Sequence, residues 1–517
     1  MPILGELLKK SVLVTKLKQP KTAFEVQKSE LKKILKKARN TEFGKYYHFE
    51  VIRNAFNFSH EKNYFHKIFK ENIPIHTYNK IYKEWWHRTL KGEKDICWPG
   101  IVKYFALTSG SSESSSKHIP ITRDMHAAIK NGGVKQMVTL QNFCDPKDIL
   151  TKGVLMLGGS TDLFKKSHYY EGDLSGIMTG KLPFWVHYIY KPGKKIAKTR
   201  DWQSKLDKIT QKAPEWDMGY VAGVPAWMLL LFERIIKVHG LNNIHDIWPN
   251  LQVYAHGGVA FEPYKNAFEK LLGKPLVYIE TYLASEGFVA LQFEKNKNMQ
   301  LLIDNGIFFE FVPFDEHNFD EDGEILPGAQ ALLLDQVQQG KEYALLLTTV
   351  AGAWRYLIGD VVKFTDVKNA EIIISGRTKQ FLSLCGEHLS VDNMNRAIIL
   401  TQEKLNIGIK EFTVFGESYN GRFAHRWHIA SDDTVNINLL KNTLDQYLKE
   451  LNDDYKTERI EALAEIFVEV LPSHIFYQWL KMQGKEGGQN KFPRVLKGDK
   501  LKSWQHFLSQ TNTITQT

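Results

Sequence analysis

The hydrophobic pattern along the chain changes period several times, and each change predicts an element. Phe24, Leu31, Leu35 and Ala38 recur at helical spacing with lysines between them, which predicts an amphipathic helix with a solvated basic face. Residues 101–107 and 118–122 have the β-branched and aromatic character of strands, and the small hydroxylated residues between them predict a hairpin loop. Residues 125–143 read as a helix and 153–160 as a buried strand entering a glycine turn. Residues 225–239 carry Trp227, Leu230, Leu231, Arg234, Ile235 and Val238, a helix stopped by Gly240. A strand over 251–259 then enters the Gly257-Gly258 turn, a helix follows over 262–272, and a strand over 276–280 leads into residues 281–287. This succession predicts an α/β layer with a largely parallel sheet. Ligands bind such sheets beyond the carboxyl ends of the strands, where residues 256–258 and 282–286 fall.

From residue 306 the period shortens. Strands at 308–311, 343–349 and 361–365 predict an antiparallel β subdomain, interrupted by Trp354-Arg-Tyr-Leu-Ile-Gly-Asp360, an apolar lead-in ending on a carboxylate. Beyond 391, strands near 411–416 and 427–430 alternate with helices over 435–451 and 454–464, which suits a small α+β domain. Trp85, Trp86 and Trp98, in an aromatic-rich stretch before residue 100, read as packing residues.

Composition sharpens this reading. With 517 residues, 43% of them hydrophobic, the chain can bury a large core in two or more domains. No apolar run reaches the roughly eighteen residues of a membrane span, and the amino terminus lacks a secretory signal, so a soluble cytoplasmic protein is expected. Cys97, Cys144 and Cys385 are too few and scattered for a disulfide framework or a cysteine metal site. Of the formal charge of +10, an excess of eight sits within residues 1–46, where twelve Lys/Arg face four Glu. The remainder is nearly balanced, so the charge belongs to one solvated helix face and points away from nucleic acid.

The candidate chemistry begins in the loop after residue 107. Thr108, Ser109, Ser111 and Ser112 offer hydroxyls, Gly110 admits close backbone approach, and Lys117 closes the stretch with a positive charge. Taken alone, it fits a nucleotide-phosphate loop and a solvated serine-rich turn equally. The Walker lysine loop, the dinucleotide Gly-x-Gly-x-x-Gly, the metalloprotease His-Glu-x-x-His and the hydrolase Gly-x-Ser-x-Gly are absent. What remains is an ordered set: the Ser/Thr loop, Gly257-Gly258, Tyr282-x-x-Ser285-Glu286, Tyr356-x-x-Gly-Asp360, Gly376-Arg377 and the late Lys491 before Pro493-Arg494.

This order resembles the acyl-adenylate-forming superfamily, and its details resemble the auxin-responsive acyl-acid amido synthetase branch, from Asn40-Thr-Glu-Phe-Gly44 to Lys491-Phe-Pro-Arg494. The resemblance implies a layered α/β adenylation domain with a β subdomain over 1–376, a hinge region over 377–390 and a small mobile α+β domain over 391–517. It implies ATP and Mg²⁺, a carboxylic acid substrate and an amine acceptor, an amino acid in the better-known branch. Thr108, Ser109, Gly110, Ser111 and Ser112 would hold phosphates, and His256, Gly257 and Gly258 would form an adenine wall, with Tyr282 and Ser285 in the same nucleotide site. Tyr282 would stack on or flank the base. Glu286 would coordinate Mg²⁺, Asp360 would bind the ribose hydroxyls, Arg377 would sit at the hinge, and Lys491 would be catalytic. Two departures stand out: Glu113 puts a negative charge in the phosphate loop, and Leu357 stands where many relatives carry arginine. An acyl-CoA ligase, which shares the first half-reaction, and a catalytically silent nucleotide-binding homologue are the competing readings.

Overall fold

The apolar stripe at the amino terminus forms helix α1 (Ala23–Ala38), which buries Leu31, Ile34, Leu35 and Ala38 and turns Lys32, Lys33, Lys36 and Lys37 outward. Thr22 starts it with a capping box, its side chain accepting from the Glu25 N–H while Glu25 accepts from the Thr22 N–H. This computed structural model describes residues 22–514 apart from 59–60, 109–116, 146–148, 150, 182–185, 187, 321–322, 379–381, 383–386, 388, 421, 453–454, 457, 460–462 and 486–490.

The strands follow in chain order. A hairpin of β1 (Tyr104–Thr108) and β2 (Lys117–Pro120) precedes helix α2 (Arg123–Thr139). Next come β3 (Gly153–Leu157), β4 (Phe164–Lys165), β5 (Tyr170–Gly172), β6 (Tyr190–Lys191) and β7 (Met218–Gly223). Helix α3 (Pro225–His239) starts on a proline and stops at Gly240, whose φ of 63° is the left-handed cap read from the sequence. After it come β8 (Val253–Gly257), α4 (Glu262–Glu269), β9 (Val277–Ala284), β10 (Gly287–Gln292) and β11 (Met299–Leu301). Then come β12 (Ile307–Pro313), β13 (Glu342–Thr349), β14 (Tyr356–Asp366) and β15 (Glu371–Arg377).

One eleven-stranded sheet, ordered β12-β13-β14-β15-β11-β10-β9-β8-β7-β3-β6, carries most of these strands. Its β9-β8-β7-β3-β6 half is parallel, as the strand, turn and helix pattern requires. The antiparallel strands expected after residue 306 are present as β12–β15, and they continue this sheet through the pairing of β15 with β11. Both strands of the β1–β2 hairpin lie in a smaller sheet, ordered β2-β1-β5-β4.

Helix α5 (Val391–Leu405), β16 (Glu411–Tyr419), β17 (Arg422–Ala430), α6 (Ile437–Leu451) and β18 (Leu463–Leu471) form an α+β unit with its own core around Phe412, Trp427, Leu440 and Ile466. The helix read over 454–464 falls partly outside the described residues, and at its far end Leu463 already begins β18, paired with β17. Helices α7 (Ser473–Met482) and α8 (Gly498–Ile514) contribute Phe476, Trp479, Trp504 and Phe507 to the apolar cluster that includes Trp227, Phe232 and Tyr254 of the large sheet's layers. No described helix is long and apolar enough to cross a membrane.

A buried ionic group fixes the start of β14. Glu310 on β12 accepts from the Arg355 Nε (3.0 Å) and faces His66 Nε2 (2.9 Å), and Arg355 donates to the Ile73 carbonyl (2.6 Å). Burial pushes the Glu310 carboxyl up, but Arg355 and His66 outweigh it and hold the group below its ordinary value. The Arg355 carbonyl accepts from the His76 N–H, and the Leu357 N–H donates back to the His76 carbonyl, both at 2.9 Å, so the strand that ends in Asp360 begins in a set register. A depressed carboxylate contributes stability that is present above its unfolded value and lost as pH falls through its folded one. Glu310→Gln is therefore expected to lower the unfolding free energy in urea by about 3–5 kcal/mol at neutral pH, because Arg355 loses its counter-ion in the core. The gap between variant and parent is expected to shrink as pH is lowered below about 4.

Candidate active site

The register of β14 and β15 sets Asp360 directly opposite Arg377. Arg377 Nε lies 3.0 Å from Asp360 Oδ1, and the Tyr282 hydroxyl donates to Oδ2. The Asp360 side chain remains 15% exposed, so this oriented carboxylate keeps an edge open to a ligand. The adjacent carboxylate raises the Arg377 guanidinium above its ordinary value, so its charge is fixed. Tyr282 is only 5% exposed and its hydroxyl is committed beneath Asp360. It thus orients that carboxylate.

Glu286 sits in the turn joining β9 to β10, immediately before Gly287, and Ser285 beside it is buried. Strand β9 runs on to Ala284, past the boundary expected at residue 280, because β10 pairs with it as a hairpin. Burial raises the Glu286 carboxyl, Asp360 adds to that, and Lys117 and Arg377 oppose it. Tyr356 is buried near it, and burial and the Glu286 charge push its hydroxyl well up. Among the described residues no group of three His, Cys, Asp or Glu could hold a metal by itself. One buried carboxylate fits a magnesium ion whose other ligands are phosphate oxygens and water.

The glycine turn after β8 leaves no room for side chains. A Cβ on Gly257 would stand 2.2 Å from the Thr281 carbonyl oxygen. Gly258 has φ +88°, and a Cβ there would stand 3.2 Å from Lys491 Cε and 3.5 Å from its Nζ. His256 is buried and stacks on Phe261 (4.5 Å between centroids), and burial lowers its ring to about 3, so it is neutral.

Lys491 thus reaches the glycine turn from the far end of the chain. It keeps solvent access through the cleft, yet burial lowers its ammonium to about 8, with Asp360 opposing and Arg377 and Arg494 adding to the fall. Water in the cleft screens part of that desolvation. Lys500, near the start of α8, is likewise lowered to about 8 by burial and by Lys485, Arg377 and Lys117. Lys117 leads β2 opposite Thr108, its Nζ 5.3 Å from the centre of the Tyr78 ring. Ser109, Gly110, Ser111 and Ser112 lie outside the described residues. The structure therefore brings together Thr108, His256, Gly257, Gly258, Tyr282, Ser285, Glu286, Asp360, Arg377 and Lys491. Lys117, Arg377, Lys491 and Lys500 outnumber the two carboxylates, a balance that suits a polyanion. Sequence reasoning named Tyr356 in the motif that ends at Asp360 but gave it no role, and it missed Lys500, one of several lysines after residue 496 with no distinguishing signal.

Comparison with known proteins gives this geometry a context. Residues 16–162 and 132–277 match the GH3 family N-terminal domain, 300–374 its central domain and 392–500 its C-terminal domain. An Arabidopsis thaliana indole-3-acetic acid-amido synthetase, GH3.4, is 24% identical over 276 residues, 49% of this chain and 45% of that protein. The chain spans about half the length of the curated relatives it matches. In fold it is similar to the GH3.15 acyl acid amido synthetase (TM-score 0.71, 17% identity, 93% of each chain). It is also similar to a 2-hydroxyisobutyryl-CoA ligase in a postadenylation state (TM-score 0.58, 13% identity, 95% of this chain and 92% of that one).

The crowding at the glycine turn is directly testable. Gly257→Ala is expected to lower stability by about 1–3 kcal/mol in urea denaturation, because strand β9 must move to admit the methyl group. Gly133→Ala is the matching control: it lies within helix α2, its new Cβ would meet nothing within 4 Å, and it is expected to stabilise by about 0.5–1 kcal/mol.

Proposed function

The chain belongs to the GH3 family, and from that premise we propose that it is an ATP-dependent ligase that adenylates a carboxylic acid and transfers the acyl group to an amine, with amino acids as the acceptor class. The observation that carries this reading is the placing of Lys491 against Gly258, beside the Asp360–Arg377 pair.

Each residue has a role that its chemistry supports. Gly257 and Gly258 lay backbone against the base, with neutral His256 behind them, and Thr108 and Lys117 face the phosphates from the hairpin. Asp360, oriented by Tyr282 and Arg377, accepts from the two ribose hydroxyls. Glu286 would hold Mg²⁺, which when bound neutralises phosphate charge. Lys491 places its ammonium where the carboxylate meets the α-phosphorus and stabilises the charge that develops there. A carboxylate oxygen attacks that phosphorus, the bond to pyrophosphate breaks, and acyl-AMP forms. An amine then attacks the acyl carbon and AMP leaves with the carboxylate's former oxygen. Residues 1–376 serve as the adenylation domain and 391–517 as the mobile unit that delivers Lys491, joined by a hinge over 377–390, so that closure keeps water from the acyl-AMP.

The test is a mass-spectrometric search of reactions containing the protein, Mg-ATP, mixed carboxylic acids and mixed amino acids. Dehydrated acid–amine adducts formed with AMP are expected. AMP without adducts, with thioester on addition of CoA, would instead make the protein an acyl-CoA ligase. No turnover of broad mixtures would favour a silent homologue. Lys491→Ala is expected to slow adduct formation about 10²–10³-fold, the scale of removing one preorganised charge-stabilising donor. Because the lysine acts protonated, adenylation is expected to fall as pH rises through about 8 in a pH–rate profile.

A further inference from the structure

Lys491 is followed by two anchors. Phe492 inserts among Phe476, Trp479 and Trp504, with ring centroids 4.7, 5.1 and 5.1 Å away. Two residues further on, Arg494 enters a buried polar group. Its Nη1 donates to Glu411 Oε2 (2.5 Å) and to the Phe412 carbonyl (3.1 Å), and its Nη2 donates to the Tyr264 hydroxyl (3.0 Å). Tyr264 in turn donates to Glu411 Oε1 (2.8 Å). Relative exposures of 1% for Tyr264, 4% for Glu411 and 8% for Arg494 mean that each depends on the others for its hydrogen bonds. The Arg494 carbonyl accepts from the Val414 N–H (2.9 Å) and the Leu496 N–H donates to the Val414 carbonyl (3.0 Å), which lays this segment along β16.

Tyr264 belongs to α4, the helix that opens four residues after Gly258. The connections therefore close a ring: from Gly258 along α4 to Tyr264, across to Arg494, back along the chain to Lys491, and onto Gly258 again. We propose that Tyr264, Glu411 and Arg494 are positioning residues for the reaction, a clamp that sets Lys491 in register with the glycine turn. The inference rests on the reading of Lys491 as the adenylating lysine. Arg494 acts by geometry, because its own charge disfavours the Lys491 ammonium and Glu411 supplies its counter-ion. A tyrosine from the large domain and an arginine three residues from the lysine thus make nucleotide wall and lysine one mechanical unit.

The test reads Lys491 itself. Trace acetylation with an amine-reactive ester, followed by mass spectrometry across the pH range, gives the titration midpoint of Lys491, expected near pH 8 in the parent protein. The groups facing it are Asp360 and Arg377 from β14 and β15 and Arg494 from its own segment. Tyr264→Phe removes two hydrogen bonds without removing the ring. It is expected to release Lys491 from the cleft and raise its midpoint by about one pH unit or more, towards the value of a free lysine. Glu411→Gln, which keeps a weaker acceptor, is expected to give a smaller rise in the same direction. Tyr343→Phe, whose hydroxyl accepts from the Gln338 N–H elsewhere in the large domain, is expected to give none. An unchanged Lys491 midpoint in the folded Tyr264 or Glu411 variant would overturn the clamp. Adding Mg-ATP to the parent separates the two readings. A shifted midpoint in Tyr264→Phe without nucleotide protection of Lys491 would keep the clamp and sink the ATP reading. Protection without a shift would do the reverse.

Discussion

An ammonium group must be held at a cleft that already contains other cations. Lys491 shares its surroundings with Arg377 and Arg494, and Lys500 lies close to Arg377 and Lys117, so both desolvation and like charge oppose the arrangement. Asp360 and Glu286 compensate only in part. The rest comes from apolar packing between the two ends of the chain, where Trp227 meets Tyr477 and the Phe476, Trp479, Phe492 and Trp504 rings close over one another. A site built this way is poised for an anion: bringing phosphates into the cleft relieves the repulsion that packing alone now restrains.

The large sheet supplies the fixed half of that site. Its parallel strands end in the Gly257-Gly258 turn, its β9–β10 hairpin presents Glu286, and its antiparallel strands set Asp360 against Arg377. Because β9 and β14 belong to one hydrogen-bonded layer, Tyr282 on the first can orient Asp360 on the second. The Glu310–Arg355–His66 group anchors the start of β14 from behind, through His76. Positioning of the proposed ribose carboxylate thus depends on a buried ionic group whose own carboxylate, Glu310, is distant in sequence and on a different strand.

Much of this was legible in the chain. Helix α3 was readable to the residue because Pro225 and Gly240 punctuate it, and the strand, turn and helix around Gly257-Gly258 followed from hydrophobic period alone. The ordered motifs also named most of the residues that converge. What local pattern could not show was pairing between distant segments: that β12–β15 continue the parallel sheet, that β9 extends to Ala284 because β10 folds back on it, and that Leu463 belongs to a strand. Nor could it single out Tyr264 or Lys500, or show what Arg494, named beside Lys491, would meet across the fold. Glu310 did leave a trace, a lone charge inside the apolar run of β12, which is a signature of a buried partner.

The measurement that bears most directly on the central claim follows oxygen. Carboxylic acids labelled with ¹⁸O at both carboxyl oxygens are supplied with Mg-ATP and amino acids, and the nucleotide and phosphate products are weighed. Attack of the carboxylate on the α-phosphorus must leave one labelled oxygen in AMP, and that is the expected result. Label in inorganic phosphate accompanied by ADP would mean that the γ-phosphate is attacked and would contradict the account, as would AMP formed without label.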